Sequence, residues 1–279
     1  MSVGRKFPSV RGKVRHAVVV GASSGIGKLV AGALVGDGIA LSAIGRSPPP
    51  DARIWHRRCG DLSTLDWPET YAQAEEHAGL SIDAVVYVAG DAVFGRASAT
   101  PTERARRLFD ANYWAPVGAA IAAERLWTEP KRGTFVSVSS ISARRAVPFE
   151  AHYCASKAAF AHFLDVLSLE QADARLRFVS VYPGRLRTAF RSKAEWYGVP
   201  PDSRPNDGRD PATVAAAVLG ILAGQFRLRV LGVRERAIDL VDRVSPALYD
   251  SLILRRRVRS RLRAARREAH SSELERRKR

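Results

Sequence analysis

Cysteine and long apolar runs are scarce in this sequence of 279 residues. Its two cysteines, Cys59 and Cys154, form no C-x-x-C pair, which argues against a disulfide scaffold and a zinc site, so we expect no metal. No apolar run reaches the roughly 18 residues that a membrane-spanning helix needs. The first stretch, MSVGRKFPSVRGKVRH, lacks the apolar core of a secretory signal. These absences predict a cytoplasmic protein.

Acidic residues are few at both ends of the chain. Residues 1–15 carry five basic and no acidic side chains, and residues 255–279 carry twelve basic against three acidic. The two ends therefore hold +14 of the net charge of +17, which leaves +3 for residues 16–254. Charge blocks of this kind are more often solvated or interacting tails than parts of a catalytic fold. The folded body is accordingly expected to be near neutral.

Segments with strand character alternate with segments of helical apolar spacing, including one long helical stretch over residues 102–127. Such alternation predicts βαβ units with right-handed crossovers. The expected fold class is α/β, a Rossmann-type doubly wound, mostly parallel seven-stranded sheet with helices on both faces. Ligand sites are then expected at the carboxyl ends of the strands. The predicted strands lie within residues 16–22, 39–46, 52–61, 83–90, 133–140, 175–184 and 226–232.

The stretch GASSGIG follows the first predicted strand and opens the first predicted helix. Its glycines, Gly21, Gly25 and Gly27, allow a tight turn and a close approach of the backbone to a ligand. The helix offers free N–H groups and a positive dipole end to a pyrophosphate, and the hydroxyls of Ser23 and Ser24 add donors. The pattern indicates a dinucleotide site. The alternative is a structural glycine turn.

Arg46 ends the second predicted strand, with Ser47 beside it. An acidic residue there would bind the adenosine ribose and repel a 2′-phosphate, whereas an arginine forks onto that phosphate. We therefore expect NADP(H) rather than NAD(H); the alternative is a surface arginine without a ligand. Asp61, after the third strand, is expected to accept a hydrogen bond from an adenine amino group or, alternatively, to cap the next segment.

Tyr153 and Lys157 lie four residues apart in the segment HYCASKAAF, whose alanines favour helix. At this spacing both side chains emerge on one helix face, one turn apart. An isolated pair of this kind most often lies on the solvent-exposed face of a helix. Its meaning therefore depends on the other motifs of the chain.

Taken in order, those motifs resemble the short-chain dehydrogenase/reductase (SDR) family over about residues 14–225. Ser140 lies thirteen residues before Tyr153 with the other motifs in register, and this combination is highly specific. One departure is YVAG, where the family usually has Asn-Asn-Ala-Gly, so an asparagine that commonly braces the fourth strand is missing. The matching elements are GASSGIG, Asp61-Leu62, VAG at 88–90, Asn112, Ser140, Tyr153-x-x-x-Lys157, and YPG at 182–184 followed by Thr188.

The resemblance implies four catalytic residues. Tyr153 would be the general acid or base at a carbonyl or alcohol oxygen, and Lys157 would lower its pKa and hold the nicotinamide ribose. Ser140 would bind the substrate oxygen, and Asn112 would hold a water that connects Lys157 to solvent. The expected cofactor-binding residues are Gly21, Ser23, Ser24, Gly25, Ile26, Gly27, Arg46, Ser47, Asp61, Leu62, Ala89, Gly90, Tyr153, Lys157, Pro183, Gly184, Leu186 and Thr188.

The expected organisation is a basic segment 1–15, a catalytic domain 16–235 with a substrate lid around 189–210, and a basic helical extension 236–279. Phe190, Trp196 and Tyr197 make the lid partly apolar, which favours a hydrophobic small molecule as substrate. The expected activity is NADP(H)-dependent interconversion of a carbonyl and an alcohol. Arg144 and Arg145, just past Ser140, are interpreted as solvated loop arginines rather than as contacts to an acidic substrate.

The extension leaves several roles open. Its apolar stripe could pack on the body, pair with another subunit or lie on a membrane, and its basic end could be a solvated tail or bind anionic lipid. The lack of aromatic residues among its arginines argues against a single-stranded nucleic-acid partner. The resemblance implies a homo-oligomer, a dimer or tetramer. The alternative function is a non-catalytic SDR-fold protein that senses cofactor or docks on a membrane.

Overall fold

Parallel strands build the centre of the computed structural model, which describes residues 7–127, 132–171, 175–201, 208–225 and 233–249. Six strands form one main sheet, and two short strands, β5 and β8, form a separate pair. In chain order the strands are β1 His16–Val20, β2 Ala40–Gly45, β3 Trp55–Arg58, β4 Ala84–Tyr87, β5 Val93–Gly95, β6 Gly133–Val138, β7 Leu176–Val181 and β8 Glu195–Tyr197.

The main sheet has the strand order β3-β2-β1-β4-β6-β7 with every pair parallel. All residues of β1 and β4 are buried, because helices cover both faces, and this is why these strands, apart from His16, are apolar runs without alternation. The chain reverses its direction of travel across the sheet between β1 and β4. A ligand cleft is expected at such a switch point, beyond the carboxyl ends of the strands.

Helices pack on the two faces of the sheet in separate layers. Helices α1 and α6 share one apolar core with one face, and α2, α4 and α5 share a second core with the other. Asp210 caps α6 by accepting a hydrogen bond from the Ala212 N–H at 2.9 Å. The helices are α1 Gly25–Gly36, α2 Trp67–Ala78, α3 Thr102–Phe109, α4 Ala115–Leu126, α5 Ala151–Glu170, α6 Pro211–Leu222, α7 Val233–Val244 and α8 Pro246–Tyr249.

The predicted fold class is confirmed, with one correction in the strand number. Six of the seven predicted strands form the main sheet, and the predicted seventh strand, 226–232, lies outside the described residues. The long helix predicted over 102–127 is divided by a π-helical turn, Asp110–Trp114. The pairing of β5 with β8 was not predicted, because three-residue strands carry no readable periodicity.

A close approach of the backbone joins the two strands of the small sheet, and an arginine side chain joins the sheet to α3. At Gly95 a Cβ would lie 2.0 Å from the Tyr197 carbonyl oxygen, so the strands meet only because this residue is glycine. The buried Arg104 side chain on α3 then binds Asp91, two residues before β5, and Glu195 of β8. Its Nη2 is 2.7 Å from Asp91 Oδ2, and its Nε donates to Glu195 Oε1 at 2.6 Å.

The C-terminal helices α7 and α8 pack on the body over the loop that follows β6. Arg144 binds Asp239 through two hydrogen bonds of 2.9 and 3.1 Å, and the Tyr249 hydroxyl donates to the Ala146 carbonyl oxygen at 3.1 Å. The interpretation of Arg144 as a solvated loop arginine is therefore wrong. The basic end of the extension, 250–279, lies outside the described residues. Within the described ranges, no helix is long and apolar enough to cross a membrane.

Replacing Arg104 by methionine is expected to lower the free energy of unfolding by about 1–2 kcal/mol in urea denaturation. The loss is moderate because the two carboxylates are partly exposed and regain water when the guanidinium is removed. The matched control is Arg106→Met in the same helix. The Arg106 side chain is 72% exposed, and its Nη1 lies 3.7 Å from Glu103 Oε2. Equal losses in both variants would contradict a stabilising role for Arg104.

Candidate active site

A cleft of about 2500 Å³ lies beyond the carboxyl ends of the strands. This volume is larger than the roughly 300–1,000 Å³ of a typical small-molecule site, so a dinucleotide and a second molecule fit together. Of the predicted site residues, only Gly27 and Asn112 do not line it. The lining set comprises Gly21, Ser23, Ser24, Gly25, Ile26, Arg46, Ser47, Asp61, Leu62, Ala89, Gly90, Ser140, Tyr153, Lys157, Pro183, Gly184, Leu186 and Thr188.

The glycine turn between β1 and α1 forms one side of the cleft. Gly21 has φ +92°, a conformation that favours glycine, and a Cβ on Gly27 would lie 2.0 Å from the Gly21 carbonyl oxygen. Ser24 is the N-cap of α1 but makes no side-chain capping bond in the described structure. The N–H groups of the first turn are therefore available to an anionic ligand.

Arg46 and Asp61 lie at the edge of the cleft. Arg46 is exposed and makes no hydrogen bond or ion pair with the described part of the chain, so its guanidinium is available to a ligand. Asp61 instead has a local partner: its Oδ1 accepts hydrogen bonds from the N–H and hydroxyl of Ser63, at 2.9 and 2.7 Å, which lower the pKa of the carboxyl. The alternative capping role of Asp61 is thus present, and the adenine contact stays a prediction.

The segment after β7 crosses the cleft towards the glycine turn. The Pro183 carbonyl oxygen accepts a hydrogen bond from the Ile141 N–H at 2.9 Å, and the Thr188 N–H donates to the Leu186 carbonyl oxygen at 3.0 Å. Thr188 Cγ2 lies 3.8 Å from the position that a Cβ on Gly25 would take. Thr188 therefore lies beside the glycine turn, and the cofactor contact of residues 183–188 stays a prediction.

Tyr153 lies on the first turn of α5 with its side chain almost buried. Its ring makes an edge contact with Phe94 at 5.5 Å between centroids, and Ser140 lines the same cleft. Burial raises the pKa of Tyr153, the negative charge of Glu150 raises it further, and the Ser140 side chain and the positive charge of Arg191 oppose the rise. Lys157 was expected to lower the pKa of Tyr153, but in the structure this pKa is raised.

Lys157 is buried one turn further along α5. Burial lowers the pKa of Lys157 to about 8, against the opposing charge of Asp91. Its Nζ lies 6.0 Å from the centroid of the Tyr153 ring, and it makes no hydrogen bond to the residues that the structure describes. A Cβ at Gly90 would lie 2.9 Å from this Nζ, so the ammonium lies close to the backbone of Gly90.

Asn112 lies in the π-helical turn and is 1% exposed, so the alternative of a surface amide is wrong. Its Oδ1 accepts from the Asp91 N–H at 2.9 Å, and its Nδ2 donates to the Asp91 carbonyl oxygen at 2.9 Å and to Ser156 Oγ at 3.1 Å. Single-turn π-bulges of this kind are frequent at functional sites. The predicted water between Asn112 and Lys157 stays a prediction.

Two charged residues beside Tyr153 escaped the sequence reasoning. Glu150 precedes the tyrosine by three residues and is buried, and Arg191 reaches it from the segment before β8. Glu150 could have been noticed in the sequence, because it is a charged residue directly before the predicted helix that carries Tyr153. Nothing in the sequence joined it to Arg191, because the two are far apart in the chain.

Fold and cleft together define a Rossmann-type dinucleotide-binding enzyme architecture. The family model described as short chain dehydrogenase matches residues 15–197. The chain is 28% identical over 258 residues to Dehydrogenase/reductase SDR family member 7B of Xenopus laevis, which covers 85% of this chain and 80% of the relative. A solved short chain dehydrogenase from Burkholderia cenocepacia in complex with NADP superposes with a TM-score of 0.70 at 25% identity, over 88% of this chain and 99% of the other.

An alcohol dehydrogenase from Thermococcus sibiricus, solved with 5-hydroxy-NADP, shares the fold, with a TM-score of 0.65 at 23% identity over 78% of this chain and 94% of the other. The chain belongs to the short-chain dehydrogenase/reductase family and is an oxidoreductase of that family.

Lys157→Met is expected to raise the free energy of unfolding at pH 7 by about 1–3 kcal/mol, measured by urea denaturation without cofactor. The folded state holds this proton less tightly than the unfolded chain, because the pKa falls from 10.5 to about 8. Stability of the parent protein should therefore rise as the pH increases from about 8 to 10.5, and the advantage of the variant should fade. A pH-independent difference, or the same effect in the exposed control Lys28→Met, would contradict this account.

Proposed function

We propose that the protein is an NADP(H)-dependent oxidoreductase that interconverts a carbonyl and an alcohol on an apolar small molecule, with Tyr153 as the acid or base. The observation that carries the proposal is that one cleft is lined by Ser140, by the buried Tyr153 and Lys157, and by the glycine turn. A proton-transfer group, an oxyanion donor and a dinucleotide cradle are thereby combined in one place.

The residues of the cleft fit a dinucleotide. The close approach at Gly27 and Gly21 leaves the helix end open to a pyrophosphate, and the exposed Arg46, which follows β2 and lines the cleft, is expected to bind a 2′-phosphate. Two relatives solved with NADP or 5-hydroxy-NADP support the choice of the phosphorylated cofactor. When bound, the nicotinamide supplies a hydride to a carbonyl carbon or takes one from an alcohol carbon.

The proposed chemistry of the chain concerns one oxygen atom. Ser140 Oγ accepts a hydrogen bond from the Ser142 N–H at 3.1 Å, which leaves its own proton for an oxygen that gains negative charge. Tyr153 donates its proton to that oxygen in reduction and withdraws it in oxidation. The Lys157 ammonium lies 6.0 Å from the centroid of the Tyr153 ring, and its positive charge favours the phenolate that remains after proton transfer.

Aromatic side chains on the substrate side of the cleft favour an apolar substrate. Phe190 lies 6.1 Å from the Tyr153 ring, and Trp196 lies 4.9 Å from Phe94, all measured between centroids. These rings come from β5, β8 and the segment between β7 and β8, and the predicted lid around 189–210 includes Phe190 and Trp196. Residues 202–207 of that lid lie outside the described residues.

The cofactor assignment is tested by titrating the purified protein with NADPH and with NADH, followed by fluorescence. We expect NADPH to bind at least about tenfold more tightly, and Arg46→Ala to remove the difference, since one charge-assisted phosphate contact contributes about 1.5–3 kcal/mol. Arg53→Ala, on the surface and paired with Asp51, is the matched control and should keep the preference. Equal affinity of the parent protein for both nucleotides would overturn the choice of NADP(H).

Catalysis is tested on a panel of ketones, aldehydes and secondary alcohols. Tyr153→Phe should lower kcat by at least about a hundredfold while the cofactor still binds, because only the acid–base hydroxyl is lost. If the parent binds cofactor tightly but turns over nothing across the panel, the alternative of a non-catalytic cofactor-sensing protein gains instead.

The predicted homo-oligomer, the membrane surface and the cytoplasmic location stay predictions. Trp114 in the π-helical turn and Val166 and Leu169 on α5 are large, exposed apolar side chains, and they support a contact with a second copy. Leu240 and Val244 are exposed on α7 and support the membrane alternative for the extension.

A further inference from the structure

A buried carboxylate lies at the start of the helix that carries Tyr153. Glu150 precedes α5, and its side chain is only 8% exposed. Its Oε2 accepts a hydrogen bond from the Ser142 hydroxyl at 2.9 Å, and its Oε1 accepts one from Arg191 Nη1 at 2.8 Å. A buried negative charge is costly unless it is paired, so its retention one helical turn from Tyr153 calls for a partner.

Arg191 is that partner, and it comes from a different part of the chain. Its guanidinium carbon lies 4.1 Å from the centroid of Phe94 and 5.6 Å from that of Trp196. Phe94 in turn contacts the Tyr153 ring. Arg191 Nε is buried and finds no hydrogen-bond partner among the described residues, so the Glu150 contact and the aromatic faces hold this side chain in place.

The charged and titratable groups around Tyr153 come from three elements. Glu150 and Cys154 belong to α5 and its cap, Ser140 to the loop after β6, and Arg191 to the segment before β8. Burial raises the pKa of the Cys154 thiol to about 11, so this thiol is neutral near pH 7. Glu150 and Arg191 are therefore the opposed full charges, besides Lys157 on the next turn of α5.

We propose that Glu150 and Arg191 act as a positioning pair that sets how tightly Tyr153 holds its proton. Because Arg191 belongs to the segment before β8, the position of that segment also affects how tightly this proton is held. Glu150 favours the protonated phenol, which suits a general acid, and Arg191 offsets that charge when its segment is in place. Neither residue is catalytic; both act through Tyr153. The inference rests on the proposed function of Tyr153.

The two partners have opposite effects, and this separates the proposal from a structural role. Removing the negative charge favours the phenolate, so Glu150→Gln should lower the pKa of Tyr153 by about one unit. Removing the positive charge disfavours the phenolate, so Arg191→Gln should raise it by a similar amount. The double variant should return close to the parent value. Loss of packing alone would not produce shifts of opposite sign.

The experiment reads this titration at one site without any substrate. The full chain is prepared with 3,5-difluorotyrosine at position 153, whose more acidic phenol titrates at accessible pH, and its ¹⁹F chemical shift is followed against pH. The variants are Glu150→Gln, Arg191→Gln, their combination and Arg191→Lys, which keeps the charge and should stay near the parent. Exposed Glu170→Gln and Arg125→Gln are charge-matched controls and should not move the midpoint.

Opposite shifts from the two single variants, with Arg191→Lys near the parent, support the proposal. Shifts of the same sign, or midpoints equal to the parent in either single variant, overturn it. If Glu150→Gln does not fold, the comparison of Arg191→Gln with Arg191→Lys decides alone. The ¹⁹F result stands whether or not the substrate panel shows turnover, so failure of the inference and failure of the proposed function remain distinguishable. Once a substrate is found, the pH profile of kcat should move with the ¹⁹F midpoint.

Discussion

The cleft depends on the hydrogen bonds that the Asn112 side chain makes to Asp91 and Ser156. Both backbone groups of Asp91 and the Ser156 hydroxyl are held by one amide, which joins the end of β4 to the helix pair α3–α4 and to α5. The same strand end carries Gly90, whose missing side chain leaves room for Lys157 Nζ. The π-helical turn brings Asn112 into this position, so an irregular helix stabilises a regular sheet end.

Ion pairs extend this support to the substrate side. Asp91, held by Asn112, binds Arg104, and Arg104 binds Glu195 of β8. A second ion pair joins Arg191 to Glu150, which precedes Tyr153 by three residues. Strand β8 and the segment before it are thus each held by one ion pair, through Glu195 and Arg191. Mixed charges of this kind are compatible with a nearly neutral body, since Arg104 and Arg191 are both paired with carboxylates.

The departure at YVAG shows how a missing family residue is replaced. Tyr87 occupies the place of the first asparagine, and its ring lies 6.2 Å from Trp67, 6.4 Å from Phe135 and 6.5 Å from Phe160, measured between centroids. Its hydroxyl is buried and has no partner within the described ranges. Apolar packing therefore supports the fourth strand where a hydrogen-bonding side chain is expected, and the backbone at Asp91 depends on Asn112 instead.

The sequence alone determined the strand and helix alternation, the glycine turn and the Tyr153–Lys157 face, because these depend on local periodicity and on the backbone freedom of glycine. It also determined most of the residues that line the cleft, since parallel strands deliver their carboxyl ends to one edge. Only the tertiary structure decided the β5–β8 pair, the role of Arg104 and the Glu150–Arg191 contact. Each joins residues distant in the chain through side chains whose partners no local pattern specifies. For the same reason the sign of the pKa shift at Tyr153 could not be predicted: the spacing of Tyr153 and Lys157 was visible, but the burial and the Glu150 charge that outweigh the opposing contacts were not.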